Sequence, residues 1–351
     1  MTTKKEIGLI GRRQFTAGLG AAALALPFYA RSSAAQDARI LLPTYGGSYQ
    51  EHLEEAFTRP FTKETGIEVV FSGVPDLARL KAQVASGRPE WDVFEAAGSW
   101  FPTGSEEGLF EPLDTSVIDS EVIRGKGDYA LFYQYIACIC WNEDFHSADQ
   151  VPRTWKDFWD VEKFPGRRTL RNRADMTLEI ALVADGVEPD KLYPLDIDRA
   201  FDSLERIKPS IAKWASTASE LTTLLSTNEV DFGINYTGRV KGAQASGTPL
   251  QVALDQVVVA NDYIAVVKGT PRREAAMKFV EFVLRADRQA EFANLDTDIP
   301  SNPTAVGMMT DEARGWLPAD VNSPVHIRQD DLWWAGRTEE LQQRFLTFLM
   351  N

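Results

Sequence analysis

A few charged side chains stand where a charge is either costly or conspicuous. Asp262 lies inside the apolar run VVVANDYIAVV, a place where a carboxylate needs a partner. It reads either as the counter-ion of a ligand ammonium group or as a buried structural acid satisfied by backbone or by an arginine. Arg239 follows the run DFGIN and the turn Tyr236-Thr237-Gly238. Its guanidinium suits a ligand carboxylate, phosphonate or sulfonate through two parallel hydrogen bonds, and equally suits a solvent-facing ion pair at a helix start. Arg171 and Arg173 come just after a strand-like segment, beside Arg167 and Arg168. A basic cluster of this kind is usually a solvated face, so one member at most is expected at a site, and Arg171, directly at the strand end, is favoured.

Other candidates occupy strand-to-helix turns, where open α/β sheets bind ligands. Tyr45 precedes Gly46-Gly47, and Ser99 and Trp100 follow the strand Trp91-Asp-Val-Phe94. The Gly-Gly turn has no neighbouring lysine and is not a phosphate loop. Tyr133, Trp141 and Trp214 read as core. Catalytic signatures are thin: His52, His146 and His326 are scattered, no Gly-x-Ser-x-Gly occurs, and neither a Cys/His cofactor set nor a dinucleotide fingerprint is present. The two cysteines, Cys138 and Cys140, stand two apart in a strand-like run, a poor geometry for a mutual disulfide, and read as small buried hydrophobes. No cofactor or metal is expected.

The elements that must position these residues can be read from periodicity and punctuation. Arg39–Thr44 is a short apolar run that reads as a buried strand, Tyr49–Thr65 has helical spacing and ends at Gly66, and Ile67–Phe71 is a second strand. A helix over Asp76–Ser86 and the strand Trp91–Phe94 complete a β-α-β-α-β series, which predicts a parallel sheet. A second series carries a Thr154-capped helix to Trp159, a strand ending at Thr169-Leu170, helices over 175–184 and 198–207, and a strand at Ser210–Ala215. It continues with a helix at Ser219–Ser226 capped by Ser219, and with strands at 231–235 and 250–254. Tyr263–Val267 is a strand, Pro271–Arg285 an amphipathic helix, and the tail from Thr310 helical and rich in aromatics. The long runs Tyr129–Trp141 and Leu254–Val267 are the natural strands for crossing between two lobes.

The N-terminus reads as an export signal. Gly11–Phe15 spells GRRQF, a twin-arginine pair, followed by the mildly apolar stretch Thr16–Ala30 and by Ser33-Ala34-Ala35. Cleavage is expected after Ala35, and the apolar stretch is too short for a spanning helix. Without residues 1–35 the chain keeps 32 basic and 50 acidic side chains, a net charge near −18. Nucleic acid and anionic membrane are excluded as partners on that ground.

The segments FTKETGIEVVFS, WDVFEAAGSWFPTGSEEGLFEPLD, VPRTWKDFWDVEKFPGRRTLRN and DIPSNPTA, in that order, resemble the extracellular solute-binding proteins of the spermidine/putrescine type. The resemblance implies an α/β, type II periplasmic-binding-protein fold: two lobes, a ligand cleft and two crossing strands, with residues 36–135 and 261–351 in lobe one and 136–260 in lobe two. It implies a monomeric periplasmic receptor that closes on a small molecule and serves an ABC permease and its ATPase. On this likeness Asp262 matches an amine-binding carboxylate and Tyr236 stands where a stacking Trp is usual, while Ala260 replaces a second aromatic. Arg171 and Arg239 lie where cations would repel a diamine. The expected ligand is therefore a zwitterion such as 4-aminobutyrate, held by Tyr45, Ser99, Trp100, Arg171, Tyr236, Arg239 and Asp262. A polyamine is the alternative, and a twin-arginine-exported enzyme the alternative class.

Overall fold

A computed structural model describes residues 39–351 apart from 115, 117, 119 and 120. The export segment lies outside the described residues. Two strands run through the whole molecule. Tyr129–Asn142 and Leu250–Val266 pair antiparallel from Ala130↔Ile264 to Asn142↔Leu250. Their apolar side chains feed two separate cores. Ala130, Phe132, Ile264 and Val266 enter one, with Phe57, Phe61, Phe279 and Phe292. Ala137, Ile139, Cys140, Leu250 and Ala253 enter the other, with Trp155, Phe158, Leu204 and Phe232. The runs read as crossing strands do cross, and the second is longer than its sequence signal: the segments at 250–254 and 263–267 are the two ends of one strand.

The first half departs from a simple parallel sheet. Arg39–Leu42 and Glu68–Phe71 are parallel neighbours. Val93–Ala97, however, pairs antiparallel with Asp262–Val266. It meets the first strand through Asp92, whose amide donates to Leu41 O at 3.0 Å and whose carboxylate accepts from Leu41 N at 2.7 Å. In the second half the strands run in the order Ile211–Ala215, Arg168–Arg171, Phe232–Tyr236, Tyr129–Asn142, Leu250–Val266, Ile327–Arg328. The first three of these are mutually parallel.

Local signals set the helices. Thr154 and Asp157 form a reciprocal capping box at Trp155–Trp159, and Asp196 caps Ile197–Ile207. The helix Ala218–Ser226 is capped by Thr217, which accepts from Glu220 N, and not by Ser219, two residues on. The tail's terminal helix Thr338–Met350 packs on the second core, with Phe345 and Phe348 against Phe201 and Trp214.

Arg168 is a second correction. It is not part of a solvated basic face but is fully buried, and it donates to the carbonyls of Phe158, Gly166 and Phe164. Burial pushes its pKa down to about 10. Cys138 and Cys140 are free and buried, and desolvation holds both thiols well above their usual range. Among the described residues no helix is long and apolar enough to cross a membrane.

Candidate functional site

Three adjacent strands bring acids and tyrosines together beside the first core. Asp262 is the register partner of Ala97 on one side and of Tyr133 on the other. Glu95, two residues before Ala97, shares that residue's face by strand alternation. The helix Gly47–Leu53 adds Tyr49, whose hydroxyl donates to Glu95 Oε1 at 2.7 Å and lies 2.8 Å from the Tyr133 hydroxyl. Glu95 and Asp262 are both buried on adjacent strands, where two like carboxylates cannot both ionise without cost. Burial raises both groups, Asp262 well above its ordinary value, and Asp298 nearby is raised for the same reason. Glu95 Oε2, Asp262 Oδ1 and Asp298 Oδ2 have no protein donor. The arrangement is a desolvated acidic cluster whose charge a cation would neutralise.

The opposite charge comes from the strand Phe232–Tyr236 and the helix Thr237–Ala245 that follows it. Arg239 is half-buried, with Cζ 5.9 Å from the centre of the Tyr49 ring. Among the described residues it has no carboxylate and no hydrogen-bond partner. Gly46 and Gly47 take positive φ of 67° and 62°, and a Cβ on Gly47 would lie 2.6 Å from Arg239 Nη1, so a side chain there would displace the guanidinium. Arg171, at the end of its strand, donates to the Tyr236 hydroxyl at 3.2 Å and to Ser216 O at 3.1 Å, and its Nε is buried without a partner. Arg173 is taken: its guanidinium forks onto Asp175, with Nε to Oδ1 at 2.9 Å. Asp175 also accepts from Ser99 Oγ at 3.4 Å.

Residues 56–316 match the profile of the bacterial extracellular solute-binding protein family. The chain belongs to that family. It is 32% identical to the gamma-aminobutyric acid-binding protein of Pseudomonas aeruginosa, over 90% of this chain and 92% of that one. It is 25% identical to the spermidine/putrescine-binding periplasmic protein of Salmonella typhimurium, over 78% and 80%. Among solved structures it is similar to the Atu4243 GABA receptor, with a TM-score of 0.79, 33% identity and coverage of 88% and 97%. It is also similar to an ABC transporter substrate-binding protein of Bradyrhizobium japonicum USDA 110, with a TM-score of 0.81, 33% identity and coverage of 89% and 99%. The fold is the type II periplasmic-binding-protein fold, and the function is extracytoplasmic solute binding, not catalysis. Solute-binding proteins of this kind carry a small molecule and work with a permease and an ATPase.

In this solute-binding protein the residues anticipated from sequence divide in space. Asp262 sits in the acidic cluster, and the Tyr45 hydroxyl accepts from Ala97 N, opposite Asp262 in the strand register, at 3.3 Å. Tyr236 and Arg171 form one contact pair, and Ser99 reaches Asp175 in the second half of the chain. Trp100 stacks on Phe94 at 6.4 Å and joins the aromatic core around Phe101 and Tyr263. Glu95, Tyr49 and Tyr133 were missed or read as core. A charge inside VFEAA was the available signal for Glu95, of the kind that exposed Asp262. Two more polar residues come from the tail. Asp331 accepts from Asn261 and Tyr263 and lies against Gly98, and burial raises its pKa to about 6. Gln329 buries both carboxamide atoms without a partner just past the pairing Arg328↔Val259.

Proposed function

We propose that this protein is the periplasmic receptor for a small ω-amino acid of the 4-aminobutyrate kind. In this reading it is exported through the twin-arginine signal, is cleaved after Ala35, and acts as a monomer without nucleic-acid partners. Lobe one is then residues 36–135 with the segment after 261, lobe two is residues 136–260, and the terminal helix docks on lobe two. The observation that carries the reading is Arg239: half-buried, without an anionic partner among the described residues, and set over the same Tyr49 that donates to Glu95. A ligand with a carboxylate at one end and an ammonium at the other satisfies both charges. Arg239, supported by Arg171 and Tyr236, receives the carboxylate. Glu95 and Asp262 receive the ammonium. The names of two relatives point to the same chemistry.

A polyamine is the second reading, favoured by the three buried acids Glu95, Asp262 and Asp298 and by the spermidine/putrescine-binding relative. Calorimetric titration separates the two. Under the amino-acid reading Arg239→Ala weakens 4-aminobutyrate by about 2–5 kcal/mol, because a desolvated carboxylate loses a charge-assisted bidentate partner, and Arg239→Lys restores little. Asp262→Asn weakens the same ligand from its other end. Tighter wild-type binding of putrescine than of 4-aminobutyrate, with a further gain in Arg239→Ala, would overturn the reading in favour of the diamine.

A further inference from the structure

The helix Thr237–Ala245 has two working faces. Val240 is fully buried in the second core, with Ala243 packed against that core. Gly238, Lys241 and Gly242 face the elements of the first. A Cβ on Gly238 would collide with the carbonyl oxygen of Asp296 and lie 2.6 Å from its Cγ. A Cβ on Gly242 would lie 3.2 Å from Ser48 Cβ and Oγ. Between these two close approaches Lys241 Nζ donates to Asn294 O at 2.5 Å and lies 3.5 Å from Glu312 Oε1. The receiving surface is braced: His52 Nδ1 is 2.5 Å from Asp296 Oδ1, tying the helix Gly47–Leu53 to the end of the helix Ala286–Asp296.

We propose that this glycine face is the latch on which the second lobe docks when the protein closes, with Gly238 and Gly242 as positioning residues for Arg239. The residue next to Gly238 is Arg239, so the depth to which the helix seats sets where its guanidinium stands over Tyr49. A helix held back by a methyl group carries Arg239 out of reach of a bound anion, although neither glycine touches the ligand. The inference rests on closure of the two-lobed fold, and on the 4-aminobutyrate reading only in its second arm.

The first arm needs no ligand. In the full chain, the double variant Ser48→Cys/Gly242→Cys places two Cβ atoms close to the about 3.5–4.5 Å that a disulfide spans. The native cysteines are buried and do not compete. Mild oxidation is expected to cross-link the double variant, and adding Gly238→Ala is expected to slow cross-linking at least tenfold. A folded double variant that does not cross-link, or a triple variant that cross-links as fast as the double, overturns the latch. The second arm titrates 4-aminobutyrate into Gly238→Ala and into the milder Gly242→Ala. A loss of tenfold or more for Gly238→Ala is expected, carried by faster dissociation, with the ligand-free melting temperature unchanged; a fall in that temperature matching the affinity loss would make the glycine a folding residue and overturn its positioning role. Failure of 4-aminobutyrate to bind the wild type counts against the ligand assignment alone, because the cross-linking arm still decides the latch.

Discussion

Arg239 lies over one end of Tyr49, and Glu95 accepts from the other: the guanidinium carbon is 5.9 Å from the ring centre, and the phenol oxygen is 2.7 Å from Glu95 Oε1. One aromatic side chain thus links the basic and the acidic halves of the site. Its ring face is electron-rich and faces the cation, while its hydroxyl donates to Glu95.

Substitutions at Tyr49 should separate these two roles. Tyr49→Phe keeps the ring under Arg239 and removes the donor to Glu95, leaving a buried carboxyl short of a hydrogen bond. Equilibrium denaturation is expected to show a loss of about 1–3 kcal/mol. Tyr49→Leu removes the ring as well, so affinity for 4-aminobutyrate should fall several-fold below that of the Phe variant. Equal affinities for the two variants would dissociate the ring from the positioning of Arg239.

Binding of an ammonium ligand should release protons. Glu95 and Asp262 are both raised by burial, with Tyr49 and Tyr133 donating to the pair and Asp298 adding like charge. An arriving cation favours the ionised pair and lowers its pKa, so affinity rises as pH rises until the raised pKa values are passed. Titrations of 4-aminobutyrate at one pH in buffers of different ionisation enthalpy should give heats that differ by the protons released. Glu95→Gln removes one of the two buried carboxyls and should reduce that difference. Buffer-independent heats in the wild type would place the ammonium elsewhere.

Glu179 predicts a pH dependence of stability. It is fully buried and accepts from Tyr193 Oη at 2.6 Å and from Trp334 Nε1 at 2.7 Å, both on Oε1. Burial raises its pKa from 4.5 to about 7, against the two hydrogen bonds that lower it. The folded state therefore holds this proton more tightly than the unfolded chain. The stabilisation is fully present below pH about 4.5 and is lost as pH rises towards 7, a swing of roughly 3 kcal/mol. Glu179→Gln keeps an acceptor for both donors and carries no charge. Its melting temperature should match or exceed that of the wild type at pH 8, with a flatter profile between pH 4.5 and 7. A variant profile parallel to the wild type would show that Glu179 does not titrate in this range.

Export makes a separate prediction. Arg12→Lys/Arg13→Lys keeps the charge and removes the pair that a twin-arginine receptor reads. Precursor should accumulate in the cytoplasm, as fractionation and immunoblotting will show; normal periplasmic accumulation would assign the protein to another route.

What the sequence determined by itself was whatever short-range chemistry controls. The crossing strands were legible because long apolar runs at 129–141 and 254–267 admit little else, and the helical span read at Tyr49–Thr65 because its spacing and the glycine after it are local, although it is built as Gly47–Leu53, a π-turn over Glu54–Thr58 and Arg59–Thr65. Asp262 stood out because a carboxylate amid valines is costly wherever the run folds, and Arg239 because it opens a helix after a strand. Tertiary structure alone decided which charges meet. Glu95 joins Asp262 only through a strand register spanning more than 160 residues, and Tyr49 reaches Glu95 and Tyr133 from a helix with no periodic signal for that hydroxyl. Arg168 and Arg167 are neighbours of identical type, yet one is buried on three carbonyls and the other sits at the surface on Asp231. The tail read as aromatic and helical, but its choice of the second core over the first follows from where Phe201 and Trp214 leave room for Phe345 and Phe348. Hydrophobic attraction is non-directional, so composition announces that such a helix will be buried, and packing chooses the surface.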